Sequence, residues 1–229
     1  MVKEKPIIFT AESVRAILER RKTQTRRLIK PQPDIVASDG SPVIISDSGC
    51  FEDIKAPFQV GQTLWVKETW ADTNGESGPM LSYRAGGDKF FMDDPDFLEP
   101  DGSMDYSKTP DCHFTMWCGD LRRGEEGHSW RSPMFMPRWA SRITLDVVSV
   151  RVERLQDISG EDAFAEGISC ASWMESDWDD DGYPTPMGKR YARAIEEYEE
   201  AWDRINGKKN PWSSNPWVWV IEFKKVTNA

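Results

Sequence analysis

The sequence has no apolar run approaching the roughly 20 residues a helix needs to cross a bilayer, so no membrane partner is expected. It has only four cysteines (Cys50, Cys112, Cys118 and Cys170), scattered without the spacing of a disulfide framework. Its first residues, Met1 to Lys5, are polar and charged, and they predict neither a signal peptide nor a transit peptide. Together these features point to a reducing, cytoplasmic setting. There is no internal repeat and no low-complexity tract. Positive charge is also in deficit: the formal net charge is −10. A general nucleic-acid coat or a membrane-surface protein would need many distributed cations, so both classes are disfavoured. The balance leaves room for one small basic pocket.

That pocket has an obvious candidate. From Arg20 to Lys30 the chain carries six cations and no acid, so the other residues together carry −16. A cationic cluster set against the trend of the molecule suggests an anionic ligand held at one place. The competing explanation is a solvated helix end, where cations favour the dipole. With 229 residues, 38% of them hydrophobic, and eleven tryptophans, the chain can bury an ample core.

Taken in order, Pro6 to Phe9 has β character. Thr10 then caps a helix from Ala11 to Arg20 whose apolar face is Val14, Ile17 and Leu18. Thr23 to Ile29 reads as an extended segment stopped by Pro31 and Pro33, and Asp34 to Pro57 as a hairpin or loop excursion. Leu64 to Trp70 alternates as one strand in which Glu68 shares a face with Leu64 and Val66, so it lies at the strand end or has a partner. Residues 71–131, rich in Gly, Asp, Pro and Ser, predict a large and mostly irregular insertion with short strands such as Met80 to Arg84. The longest strand, Arg142 to Glu153, changes its apolar face at Val148, which predicts a bulge or a bend. Ser159 caps a helix from Gly160 to Glu166, with Gly167 as its stop. An acidic loop with tryptophans covers 171–189. A helix from Arg190 to Arg204 and a strand from Trp217 to Phe223 close the chain.

Three of these segments, Ile17 to Arg27, Gly61 to Trp70 and Trp217 to Phe223, resemble the ASCH domain, of the PUA-like superfamily. With Met136-Pro137-Arg138-Trp139-Ala140-Ser141-Arg142 added, the resemblance is greatest to ASCH-containing proteins of bacteriophages and prophages. It implies an α+β fold: a single PUA-like β-barrel domain over residues 1–229 with flanking helices, the 71–131 segment being inserted. For a phage-encoded chain, the location would be the host cytoplasm. The family signature runs Gly, Lys, Glu, Arg at spacings of two, three and two; here those positions hold Arg20, Lys22, Thr25 and Arg27. Threonine in the third place is the pattern of bacterial ASCH amidohydrolases that remove the acetyl group of N4-acetylcytidine. The resemblance therefore implies Lys22, Thr25 and Glu166 as catalytic residues, without a cofactor.

The residue chemistry permits that reading. Lys22 among like charges has a disfavoured ammonium and can serve as a general base. Either the Thr25 hydroxyl or a water activated by Glu166 can attack an amide carbonyl. Arg21, Arg26 and Arg27 are candidate anion holders, with Trp65, Glu68 and Trp70 as further ligand contacts, the indoles as stacking walls. Three functions follow. The leading one is a module binding RNA or a modified nucleoside around Lys22 and Arg27. The second is an amidohydrolase on N-acylated nucleosides, and the third a phage accessory protein acting through protein partners. Cys112, Cys118 and His128 are the one set to weigh for a metal, at a spacing that matches no standard zinc pattern, so no metal is expected.

Overall fold

The computed structural model describes residues 4–46, 49–109, 112–169 and 187–226. In chain order the elements are β1 (Lys5–Ile8), α1 (Ala11–Leu18), β2 (Gln24–Leu28), β3 (Ile35–Val36), β4 (Pro42–Ile45), β5 (Phe51–Asp53), β6 (Thr63–Lys67), β7 (Trp70–Gly75), β8 (Gly78–Tyr83), β9 (Lys89–Phe90), α2 (Cys118–Arg123), β10 (Thr144–Arg154), α3 (Gly160–Ala165), α4 (Met187–Asn206) and β11 (Trp217–Lys225). The fold class is α+β. Among the described residues no set of strands closes into a barrel, and no helix is long and apolar enough to cross a membrane. The acidic loop expected at 171–189 falls, as far as residue 186, outside the described residues.

The chain divides into two compact units. The first comprises residues 1–5, 16–63 and 145–229. In it β10, β11 and β2 are antiparallel neighbours in that order, with Arg151, Val220 and Arg26 forming one row across them. The ladder of β10 and β11 slips between Val147 and Ser149, so Val148 is the extra residue of a bulge. This is the face change visible in the sequence, and it lets Val147 and Val150 lie on the same side. Backbone covers the approach to β2: Thr23 N–H donates to Ala165 O at 2.8 Å, and Lys22 forms an antiparallel bridge with Glu166. Leu155, Ile158, Ala163, Tyr198, Trp202, Val218 and Val220 pack as a buried cluster with Leu28 against it. The small sheet β3-β4-β5 accounts for the excursion predicted over 34–57.

The helix boundaries follow local chemistry. Thr10 Oγ1 accepts from Ser13 N–H at 3.2 Å and opens α1. Past the C-terminus of that helix, Arg20 adopts φ +62°, the left-handed conformation in which glycine is at home. Arg20→Gly should therefore raise stability by about 0.5–1 kcal/mol in denaturant titration, since an exposed arginine loses little on removal. An unchanged or lower midpoint would count against strain at this residue. Ser159 Oγ accepts from Asp162 N–H at 3.0 Å at the start of α3.

The second unit comprises residues 6–15 and 64–144. The single strand expected over Leu64 to Trp70 is two strands, β6 and β7, broken at Glu68. The 71–131 segment is more regular than its composition suggests. From Trp70 the chain makes an antiparallel meander, β7-β8-β9, whose first hairpin turns between Gly75 and Gly78. Trp70, Leu81, Tyr83, Phe91, Phe97, Phe114 and Met136 form its core. Phe91 sits 4.9 Å from Phe97 and 5.4 Å from Phe114, centroid to centroid. At about 1.5–3 kcal/mol per buried aromatic ring, a few widely spaced large residues suffice to organise a polar sequence. Buried Asp72 pins the approach to Phe114 by accepting from the N–H groups of His113 and Phe114 at 2.8 and 3.3 Å, and it pairs with Arg131.

Candidate functional site

Strand alternation in β2 puts Gln24 and Arg26 on one face and Thr25 and Arg27 on the other. Asp162, in the first turn of α3, and Glu166, at its C-cap, are four residues apart and both face the Gln24–Arg26 side. Lys22 and Glu166, 144 positions apart in sequence, meet there: Nζ lies 2.8 Å from Oε2, and each side chain is 4% exposed. Nζ also donates to Glu166 O at 2.7 Å. Gly167 permits the approach, because a Cβ on it would stand 2.8 Å from Ala16 Cβ and 3.0 Å from Lys22 Cβ.

Arg26 anchors the other carboxylate oxygen. Its fully buried guanidinium reaches Glu166 Oε1 at 3.3 Å, Asp162 Oδ2 at 3.1 Å and Glu153 Oε2 at 3.0 Å. Arg151 extends the cluster outward to Glu153 (2.5 Å), Asp162 (3.2 Å) and Glu222. A carboxylate in the last turn of a helix opposes the dipole. Lys22 and Arg26 supply the compensating charge.

Burial lowers Lys22 below the usual lysine range; Glu166 opposes this, and Arg27 and Arg26 add to it. Burial lowers Arg27 as well, although a guanidinium stays charged at neutral pH. Tyr198, delivered by α4, is raised well above its ordinary value by burial and then by Glu166. Burial raises Asp162, but Arg26, Gln24 and Arg151 together bring it below its ordinary 3.8. A carboxylate depressed in the folded state contributes stability above its unfolded pKa and loses it as pH falls through the folded value. Asp162→Asn should therefore flatten the loss of stability on acidification below about pH 4. Parallel acid titrations of the two proteins would exclude this role for Asp162.

The other candidates are placed as follows. Thr25 is buried, lies opposite Ile221 on β11, and faces away from the side on which Gln24 and Arg26 engage α3. Arg21 is exposed and bonded to Glu19 and to Gly167 O. Trp65, Glu68 and Trp70 belong to the second unit. There Glu68 is buried and held by Arg142 through two parallel bonds of 2.9 and 3.0 Å; burial raises its pKa, and Arg142 opposes the rise. Trp70 is only 2% exposed, with its ring edge-on to Trp139 and under Arg131 at 5.0 Å, so it is core and offers no stacking wall. Trp65 is half-buried with the Lys67 ammonium 5.3 Å above its ring. Cys112, Cys118 and His128 do not converge: no group of three or more His, Cys, Asp or Glu able to hold a metal ion occurs among the described residues.

Sequence reasoning missed Glu153, Asp162 and Arg151. The spacing carried a signal for each pair: Arg151 and Glu153 stand two apart on a strand, Asp162 and Glu166 four apart on a helix. No protein-family model, curated protein or solved structure matches the chain.

Proposed function

We propose that the chain is an ASCH-type module of the PUA-like superfamily that binds RNA or a modified nucleoside around Lys22 and Arg27; Arg27 leaves the opposite face of β2, and its charge still acts on Lys22 and Glu166. The observation that carries this reading is the buried pair itself. The two residues that the resemblance groups most loosely, Lys22 and Glu166, lie 2.8 Å apart. The left-handed backbone at Arg20 adds support, because the family signature has glycine there. The bulge in β10 is compatible with a barrel-type wall, and a cytoplasmic location goes with the same reading. Isothermal titration with cytidine, N4-acetylcytidine and a short RNA tests it. RNA binding should weaken with salt and with Arg27→Gln; salt-independent RNA binding, or binding of none of the three ligands, would sink the reading.

A second reading, deacetylation, is favoured by the lowered ammonium of Lys22. With Thr25 turned to the other face, water is the nucleophile: it adds to the acetyl carbonyl, Lys22 or Glu166 takes its proton, and the proton passes to N4 as the amide C–N bond breaks. Acetate and cytidine are the products. Release of neither from N4-acetylcytidine, or release unchanged by Lys22→Met, would exclude it and leave the binding function standing.

A further inference from the structure

The second unit carries an exposed aromatic feature that the Lys22 neighbourhood does not use. Phe135 is 75% exposed and Met134 64%, on a one-turn 3-10 helix over Pro133–Phe135. This exposure is not the result of a loose loop. Ser132 Oγ accepts from Met134 N–H at 3.3 Å, and Ser132 O accepts from Phe135 N–H at 3.1 Å. Met136, the next residue, is 2% exposed in the core, and Pro133 and Pro137 bracket the turn. The ring is therefore held outward by a rigid frame anchored on buried sulfur.

Beside it lies a cation over a second ring. Lys67 Nζ donates to Met134 O at 2.6 Å and sits 5.3 Å from the Trp65 centroid. Alternation along β6 turns Leu64 and Val66 inward and leaves Trp65 and Lys67 half-exposed on the outer face. No carboxylate lies within ion-pair reach of Lys67 among the described residues. On a chain with 39 acidic residues, none occurs between Glu126 and Asp146, the stretch that contains this turn. A polyanion would meet no carboxylate from that stretch. Exposed planar rings with an adjacent ammonium are the elements by which bases stack while a phosphate is neutralised, without sequence preference.

We propose that Phe135, Trp65 and Lys67 form a stacking platform for single-stranded nucleic acid, distinct from the Lys22–Glu166 pair. Fluorescence anisotropy with a fluorescein-labelled 12-mer of oligouridylate at low salt tests it. Phe135→Ala should weaken binding about 5- to 50-fold, with Trp65→Ala adding to the loss. Lys67→Gln should reduce the slope of log affinity against log salt by about one. Phe135 is exposed, so thermal melting of that variant should match the parent, and a shifted melt would itself show that the ring is structural. Oligouridylate binding unchanged by Phe135→Ala overturns the proposal. So does absence of oligouridylate binding, or a Phe135-dependent self-association seen by light scattering, which would make the turn a protein contact. Oligouridylate binding unchanged by Phe135→Ala, alongside mononucleoside binding that depends on Arg27, would leave the proposed function intact while removing the platform.

Discussion

Glu166→Gln should destabilise the protein by about 3–5 kcal/mol, measured by denaturant unfolding at pH 7. Glutamine keeps the shape but removes the charge that balances two buried cations, and breaking one side of a buried pair typically costs this much. Arg26 retains Glu153 and Asp162, so most of the loss falls on Lys22. Lysine has one escape, to give up its proton. Holding an amine neutral at pH 7 against an unfolded value of 10.5 costs at most about 5 kcal/mol, which caps the effect. The escape also leaves a signature. Where the folded variant carries Lys22 neutral and the unfolded chain binds the proton, stability rises with pH up to the unfolded value. Stability of Glu166→Gln should therefore climb between pH 7 and 10 relative to the parent. The double variant Lys22→Met, Glu166→Leu should be less damaged than Glu166→Gln alone, because no unpaired charge is left buried. A cost under 1 kcal/mol with no pH trend would show that the pair is solvated.

Gly160→Ala should cost roughly 3 kcal/mol, and Gly160→Val more. Gly160 is the first residue of α3, where alanine ordinarily favours a helix by about 1 kcal/mol. Here a Cβ would overlap Tyr191 Cβ and its ring on α4, closer than real Cβ atoms come. Backbone must move to relieve it, since the obstruction is the root of the tyrosine side chain and not its tip. Gly188 is the control: a Cβ there meets nothing within 4 Å among the described residues, so Gly188→Ala should be neutral or stabilising by up to about 1 kcal/mol. Equal melting curves for the two alanine variants would refute close packing of α3 on α4. The movement would also shift Glu166, so a damaged Gly160 variant should lose any ligand affinity that depends on the Lys22 pair.

Local chemistry made much of this architecture legible. The caps at Thr10 and Ser159, the stop at Gly167 and the face change at Val148 are each written within a few residues, and each has its counterpart in the structure. What could not be read depends on residues far apart. The break at Glu68 is hidden because the alternation of apolar residues runs through it, and the partner that holds Glu68 there, Arg142, lies 74 positions on. The meander beginning at Trp70 looks irregular because its core residues are sparse among Gly, Asp and Ser. Around Lys22, the neighbouring arginines suggested a patch open to solvent. Instead Arg26 is fully buried among carboxylates, and burial is the chief reason the Lys22 ammonium is disfavoured. Charge in sequence gives sign but not partners.

The bridge between Lys22 and Glu166 also has a bearing on aggregation. It lies at the entrance to β2, an edge strand whose outer N–H and C=O groups form the kind of row that templates pairing between chains. Ala165 O and Glu166 occupy the start of that edge. Variants that release α3 should therefore give concentration-dependent association and poorly reversible melting, beyond their loss of stability. The same few atoms that balance charge inside the first unit would then also keep one molecule from adding its strand to the next.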